Sequence, residues 1–261
     1  MQTETALDRA HAAMEAGGDA ERLQFYATLA DAELVVLLET EPEGETLSPE
    51  VFELSDMTCI LAFDTEERLS RFTGRPVPYA ALSGRVIAGL LQDQGIALAL
   101  NLEVAPSQTI LPPEALGWLT ETLTHAPDEA QARPVAFDRP QGLPEALLGA
   151  LDARLGAMPG LARSAFLARV TYDDDSRGHL LAFSGAAPRA HAPLAKAVGE
   201  ALTFSGLDAG ALDVTFLGDG DTALEALARV AWRFDIPEPV QPKVAEVKAP
   251  GMDPDAPPKL R

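Results

Sequence analysis

The sequence predicts an α/β chain of the α+β type. It has two consecutive small mixed-sheet domains with packed helices, followed by a Pro-rich C-terminal tail. Three observations predict it. Thr58–Asn101 runs as an apolar strand, a short polar helix, a Pro-broken extended piece, a longer helix and a second apolar strand. From Leu143 to Trp232 the order is α-β-β-α-β-α, which suits a small antiparallel or mixed sheet with helices on one face. Between them, residues 125–142 (HAPDEAQARPVAFDRPQG) shift to Pro, charge and Ala without periodicity, as a linker does. The expected divisions are a helical extension over 1–19, a first domain over 20–124, a linker over 125–142, a second domain over 143–236 and a flexible tail over 237–261.

Each element has a local reason. Thr5–Met14 and Glu21–Ala30 read as short helices broken at Gly17-Gly18, with Asp19 as N-cap. Glu33–Leu38 is a buried-type strand. Val51–Leu54 and Thr58–Phe63, separated by a tight polar turn, suggest a hairpin. Asp64 or Thr65 caps the next helix, Glu66 and Glu67 suit its positive end, and Gly74 ends it. Ser83–Gln94 is amphipathic, with Val86, Ile87, Leu90 and Leu91 as its apolar stripe. Gly95 stops it, Ile96–Leu100 is a strand, Gln108–Leu111 is extended, and Pro112-Pro113 opens a helix to Leu123.

In the second half, Val135–Phe137 can add an edge strand and Leu143–Leu155 is a helix. Ala162–Tyr172 and His179–Phe183 are strands flanking an acidic hairpin loop. Pro188–Thr203 is a helix, Leu212–Leu217 a strand and Asp221–Trp232 a helix. The last 25 residues hold seven prolines and no apolar periodicity, so they read as a polyproline-II-like tail.

Charge narrows the partners. The chain carries a net charge of −20, which repels nucleic-acid phosphate and anionic membrane surfaces. From Pro237 onward four acidic residues balance four basic ones, so the acidity belongs to the folded part. The expected partner is a neutral or basic protein, or a second copy; a small-molecule ligand stays undefined. One cysteine, Cys59, allows no internal disulfide. The start MQTETALDRA has no basic-then-apolar leader pattern. The longest apolar runs are strand-length, far short of a membrane span. A cytoplasmic protein is expected.

The motifs that could carry chemistry have blander readings. Gly218-Asp219-Gly220-Asp221-Thr222-Ala223 fits a dinucleotide fingerprint in spacing. Two carboxylates would stand where a pyrophosphate belongs, and too little chain follows for another βα unit. A turn with Asp219 or Asp221 as helix N-cap is the better reading. Asp173-Asp174-Asp175 reads as a solvated hairpin tip rather than a cation loop. Cys59 opens an apolar strand with no cation beside it and reads as a structural thiol. His11, His125, His179 and His191 stand singly, without zinc-type spacing. No G-x-S-x-G elbow or P-loop occurs. No cofactor, metal or catalytic residue is therefore assigned, and the reading leans away from an enzyme.

One stretch carries a resemblance. Ala62, Phe63, Asp64, Thr65, Phe72, Pro76, Pro78, Leu82, Gly84, Gly95 and Asn101, in that order, resemble the N-terminal domain of the SseB-like bacterial proteins. The likeness extends from about Arg22 to Leu123. A weaker one to the family's C-terminal domain covers roughly Pro140–Trp232. The family commonly has Pro after the Asn, where this chain has Leu102. The resemblance implies a fold and a family, and brings no established activity with it.

Arg75-Pro76-Val77-Pro78-Tyr79 is a stiff extended segment offering a cation and an amphipathic ring, the residue types favoured at recognition hot spots. Asp64, Arg75, Tyr79 and Asn101 are the candidate binding residues. The first expectation is a protein-interaction or regulatory module working through sheet edges and the 75–79 loop. The alternative is a small-molecule sensor, or an enzyme of unrecognised type, with a site in the interdomain cleft. Convergence of the four residues on one concave surface would favour the alternative. Their dispersal, or their engagement with structural partners, would favour the first.

Overall fold

The computed structural model describes residues 3–42, 46–54, 57–124, 133–207 and 212–239. Among them lie eight helices and eleven strands in two mixed sheets. The first half runs α1 (Ala6–Ala16), α2 (Asp19–Asp31), β1 (Glu33–Leu37), β2 (Val51–Leu54), β3 (Met57–Phe63), α3 (Glu66–Thr73), β4 (Tyr79–Ser83), α4 (Gly84–Leu91), β5 (Ala97–Leu100), β6 (Thr109–Leu111) and α5 (Pro113–Thr124). The second runs β7 (Pro134–Asp138), α6 (Glu145–Gly156), β8 (Ser164–Tyr172), β9 (Arg177–Ser184), α7 (Pro188–Phe204), β10 (Asp213–Leu217), α8 (Thr222–Val230) and β11 (Trp232–Asp235).

The first sheet is ordered β4-β1-β3-β5-β6, with β2 also paired to β3. Only β3 and β5 run parallel, Ala62 lying opposite Leu100. Alternation along each strand sends residues to opposite faces. Leu34, Val36, Ile60, Ala62, Leu98 and Leu100 turn toward α2, α4 and α5. Val35, Leu37, Cys59, Leu61 and Phe63 turn toward Leu69 of α3. Each fully buried Leu or Phe contributes roughly 1.5–3 kcal/mol, so both faces are needed to hold a sheet this small.

The local chemistry expected around α3 is present: the Thr65 hydroxyl accepts from the Arg68 N–H at 3.2 Å, and Gly74 closes the helix at φ 64°. Other elements differ from the sequence reading. Asp19 is not the cap of α2. Glu21 accepts the Gly18 N–H at 2.7 Å, while Asp19 pairs with Arg22 at 2.9 Å. The first helix, set apart as an extension, buries Leu7 in the first core. The Pro-broken extended piece expected here continues as a full strand, β4, which takes in Ser83, expected to open the next helix. Four residues expected at or after the end of the last helix form β11, because the helix stops at Ala231, which is extended.

The second sheet is ordered β10-β9-β8-β11, with β7 also paired to β8. Its helices do not share one face. α6 and α7 cover Leu167, Leu181 and Phe183, whereas Leu227 of α8 packs with Ala168 and Ala182 on the other side. The short side chains of Ala168 and Ala182 leave room for α8 to approach. Ile236 is buried, Pro237 accepts the Gly160 N–H at 2.9 Å, and Pro239 packs on Gly160. The beginning of the expected tail is therefore anchored. Residues 240–261, residues 125–132 of the linker and the turn at 55–56 lie outside the described residues.

The two halves share a joint. Phe204 of α7 enters the first core beside Trp118, with ring centroids 6.4 Å apart. The Arg154 guanidinium lies 5.7 Å over the Phe204 ring. Glu200, almost fully buried, pairs with Arg85 of α4 at 3.1 Å and with Arg154 of α6. Asp31 at the end of α2 pairs with the same two arginines. Removing Glu200 would leave Arg85 and Arg154 to share the half-exposed Asp31 alone. Glu200→Ala should cost about 1–3 kcal/mol and broaden the interdomain arrangement, read as a larger radius of gyration in solution scattering. An unchanged profile and melting curve would show that Phe204 and the Asp31 pairs hold the joint without Glu200.

Candidate interaction surfaces

Asp64 and Asn101 stand at the carboxyl ends of the parallel neighbours β3 and β5, which brings them together. The Asp64 N–H donates to Asn101 Oδ1 at 3.1 Å, and Asn101 Nδ2 donates to Ser107 Oγ at 3.0 Å. Asn101 adopts φ 52°, a left-handed conformation that Asn tolerates better than most side chains. Arg68, one turn into α3, donates to both Asp64 oxygens at 2.8 and 2.9 Å. Its other partner is Asp8 of α1, reached by Nη1 at 3.1 Å and also by Nη2. Ser107 donates to Asp8 at 2.5 Å, and Thr5 donates to Asp64 at 2.6 Å.

Two carboxylates thus share one arginine beneath the surface. Burial pushes the Asp8 carboxyl up. The hydrogen bonds from Arg68, Ser107 and the Thr5 N–H outweigh that and hold it well below the usual carboxylate range. Thr5, Asp8, Asp64, Arg68, Asn101 and Ser107 all bond to one another here, so the cluster fastens α1 to α3 and the 101–107 turn. Asp8, Arg68 and Ser107 carried no signal in the sequence, since Asp8 and Arg68 are 60 residues apart.

Arg75 and Tyr79 lie elsewhere. With Glu66, Leu69 and Ser70 they line an open groove of about 440 Å³ between α3 and the start of β4. A hydrogen bond to the Glu66 carboxylate, aided by its charge, raises the Tyr79 phenol above its ordinary range. Glu66 was legible only as a first-turn acid suited to the helix dipole.

The groove borders an edge. β4 ends the sheet, and among the described residues no strand pairs its outer side. Pro78 accepts from the Leu38 N–H, and the Gly84 N–H donates to Ala32. Pro78, Ala80 and Leu82 therefore turn their backbone groups toward β1, while Tyr79, Ala81 and Ser83 turn theirs outward. The four expected residues consequently form two separate pairs, one buried in a structural cluster and one exposed at a sheet edge.

None of the four lines the interdomain cleft, a space of about 630 Å³ bordered by Asp31, Arg85, Met158 and Lys196. Its central groups are the ion pairs of the joint. The remaining motifs take local roles. Asp221 caps α8 by accepting the Ala223 N–H at 2.9 Å, and Asp219 pairs with Arg163 at 3.2 Å. Asp174 accepts the Ser176 N–H at the hairpin tip. Cys59 is buried, and burial raises its thiol.

His11 meets Phe25 edge-on, His191 stacks on Phe216 with centroids 3.9 Å apart, and His179 contacts the Gln141 carbonyl. His125 lies outside the described residues. Among the described residues no three His, Cys, Asp or Glu side chains gather as a metal site, and no helix is long and apolar enough to cross a membrane.

No curated protein and no solved structure matches the chain. Residues 7–118, from α1 into α5, match the SseB protein N-terminal domain. That span contains the buried Asp8–Arg68–Asp64 cluster, the Arg75–Tyr79 groove and the β4 edge, so all three lie within the region that matches this domain.

Proposed function

We propose that the chain is a protein-interaction module that takes an extended segment along the outer side of β4, with the Arg75–Tyr79 groove receiving its side chains. The observation that carries this is the composition of the edge. Tyr79-Ala80-Ala81-Leu82-Ser83 is five residues long and contains no charge and no proline. Sheet edges are usually blunted by Lys, Pro or bulges, because unpaired N–H and C=O groups invite another strand. Strand addition uses those groups for affinity and adjacent pockets for selectivity. Here the pocket offers the Arg75 cation, the Glu66 carboxylate and the Tyr79 ring on one wall. The strongly acidic surface favours a neutral or basic partner segment.

Ala81→Pro tests this. It deletes the outward N–H at the centre of the edge while leaving the β1 pairing intact, and edge strands tolerate proline. Peptides selected from a displayed library on the wild-type protein should bind the variant about tenfold more weakly, a loss of roughly 1.4 kcal/mol. The melting temperature should barely move. Equal binding to both proteins would sink the strand-addition reading. If the wild type instead sediments as a dimer and the variant as a monomer, the added strand is a second copy's β4.

A further inference from the structure

A second surface lies on the opposite face of β4. The apolar stripe of α4 is wider than the face it buries. Ile87 and Leu91 are enclosed, but Val86 and Leu90 are 45% and 52% exposed. They form one wall of a groove of about 410 Å³ whose floor is Leu38, Ile60 and Leu82. The far wall includes Leu47 and Pro49. Among the described residues the lining carries no charge, with Gln94 as its polar member.

Acidic residues flank both ends. Glu39 and Glu50 bracket the Leu38–Pro49 bridge, and Asp93 precedes Gln94. The one cation of α4, Arg85, is committed to Asp31 and Glu200. An occupant of matching chemistry is a short apolar segment with a basic residue on each side. A second copy offers the same acidic ends and is disfavoured by like charge.

The chain itself holds such a segment. Residues 243–248 read Lys-Val-Ala-Glu-Val-Lys, with Val244 and Val247 between Lys243 and Lys248. The described chain also ends in a suitable place. Pro239 packs on Gly160, two residues beyond Met158. Met158 lines the interdomain cleft together with Arg85, which is the residue before Val86 at the groove. Lys243 stands four residues beyond Pro239, a reach of up to about 14 Å when extended, and the docked segment itself then runs along the groove.

We propose that residues 243–248 dock in cis into this groove, placing Val244 and Val247 on Val86, Leu90 and Leu82 and bringing Lys243 and Lys248 to the acidic ends. This surface is distinct from the outer edge of β4, and the proposal does not depend on what that edge binds.

Methyl-labelled NMR spectra of the full chain and of a chain ending at Pro239 test it. The Leu38, Leu82, Val86 and Leu90 methyls should shift on truncation, and a synthetic peptide of residues 240–252 should restore them. The full-length double variant Val244→Asp/Val247→Asp, whose substitutions lie outside the described elements, should mimic the truncation. Superimposable groove methyls in the full and shortened chains would overturn the proposal. So would groove shifts that survive truncation and grow with protein concentration, since the occupant would then be a second copy.

Discussion

Replacing Arg68 by Ala should cost about 3–5 kcal/mol, the usual penalty for stripping one partner from a buried ion cluster. The reason is geometric. Arg68 is the cation between Asp8 and Asp64, and without it two carboxylates face each other out of water. The loss should depend on pH with a definite sign. In the wild type the folded value of Asp8 is depressed. Its contribution is complete above the ordinary Asp value of about 3.9 and is lost only as pH falls through the lower folded value. Between pH 5 and 8 this group should therefore leave wild-type stability level.

In Arg68→Ala the same carboxyl keeps its burial and loses its cation, which raises it. The variant should then be more stable at pH 5 than at pH 8, a slope that the intact cluster does not show in this range. Urea unfolding at the two pH values decides the matter. A loss under about 1 kcal/mol, flat with pH, would mean that water reaches the cluster. Release of α1 should accompany the loss, because Asp8 is the buried anion that α1 contributes.

What could be read in advance followed from how local each cause is. Thr65 and Gly74 were legible as the ends of α3 because capping depends on a few neighbouring residues. Asp64 and Asn101 are adjacent because β3 and β5 are parallel, a consequence of the strand–helix–strand order from Thr58 to Asn101. β4 was not legible. Tyr-Ala-Ala-Leu-Ser has no β-branched residue, and its strand character comes from register with β1, more than 40 residues earlier at each pair. β11 is the same case, formed by pairing with Ser164–Leu167.

The α4 stripe was legible as apolar, but only the packed structure divides it into Ile87 and Leu91, which are buried, and Val86 and Leu90, which stay exposed at the groove that all four line. The interdomain alternative rested on convergence of Asp64, Arg75, Tyr79 and Asn101. The network around Arg68 and the groove beside Glu66 account for them separately.

Gly84→Ala should be among the most damaging single-methyl changes in the chain, for a reason unrelated to backbone freedom. Gly84 opens α4 where it crosses α2, and its N–H donates to Ala32 at 2.9 Å. A Cβ there would lie 1.9 Å from the Leu29 carbonyl oxygen and 2.8 Å from its carbon. Both are backbone atoms, so no rotamer change relieves the overlap; α2 and α4 must separate. Helix propensity pulls the other way, favouring Ala over Gly by about 1 kcal/mol. Overpacking costs about 1–3 kcal/mol, and with a backbone carbonyl as the neighbour the upper end applies, so destabilisation wins.

Gly89, on the same helix, meets nothing within 4 Å of its ideal Cβ. Gly89→Ala should therefore stabilise by about 0.5–1 kcal/mol. Thermal melts of the two variants, five residues apart, should move in opposite directions. If both rise, α2 and α4 can part without loss, and the close approach at Leu29 does not hold α4 in place. If Gly84→Ala falls as expected, its groove methyls should also lose their dependence on residues 240–261, because Val86 and Leu90 turn with the helix that Gly84 seats.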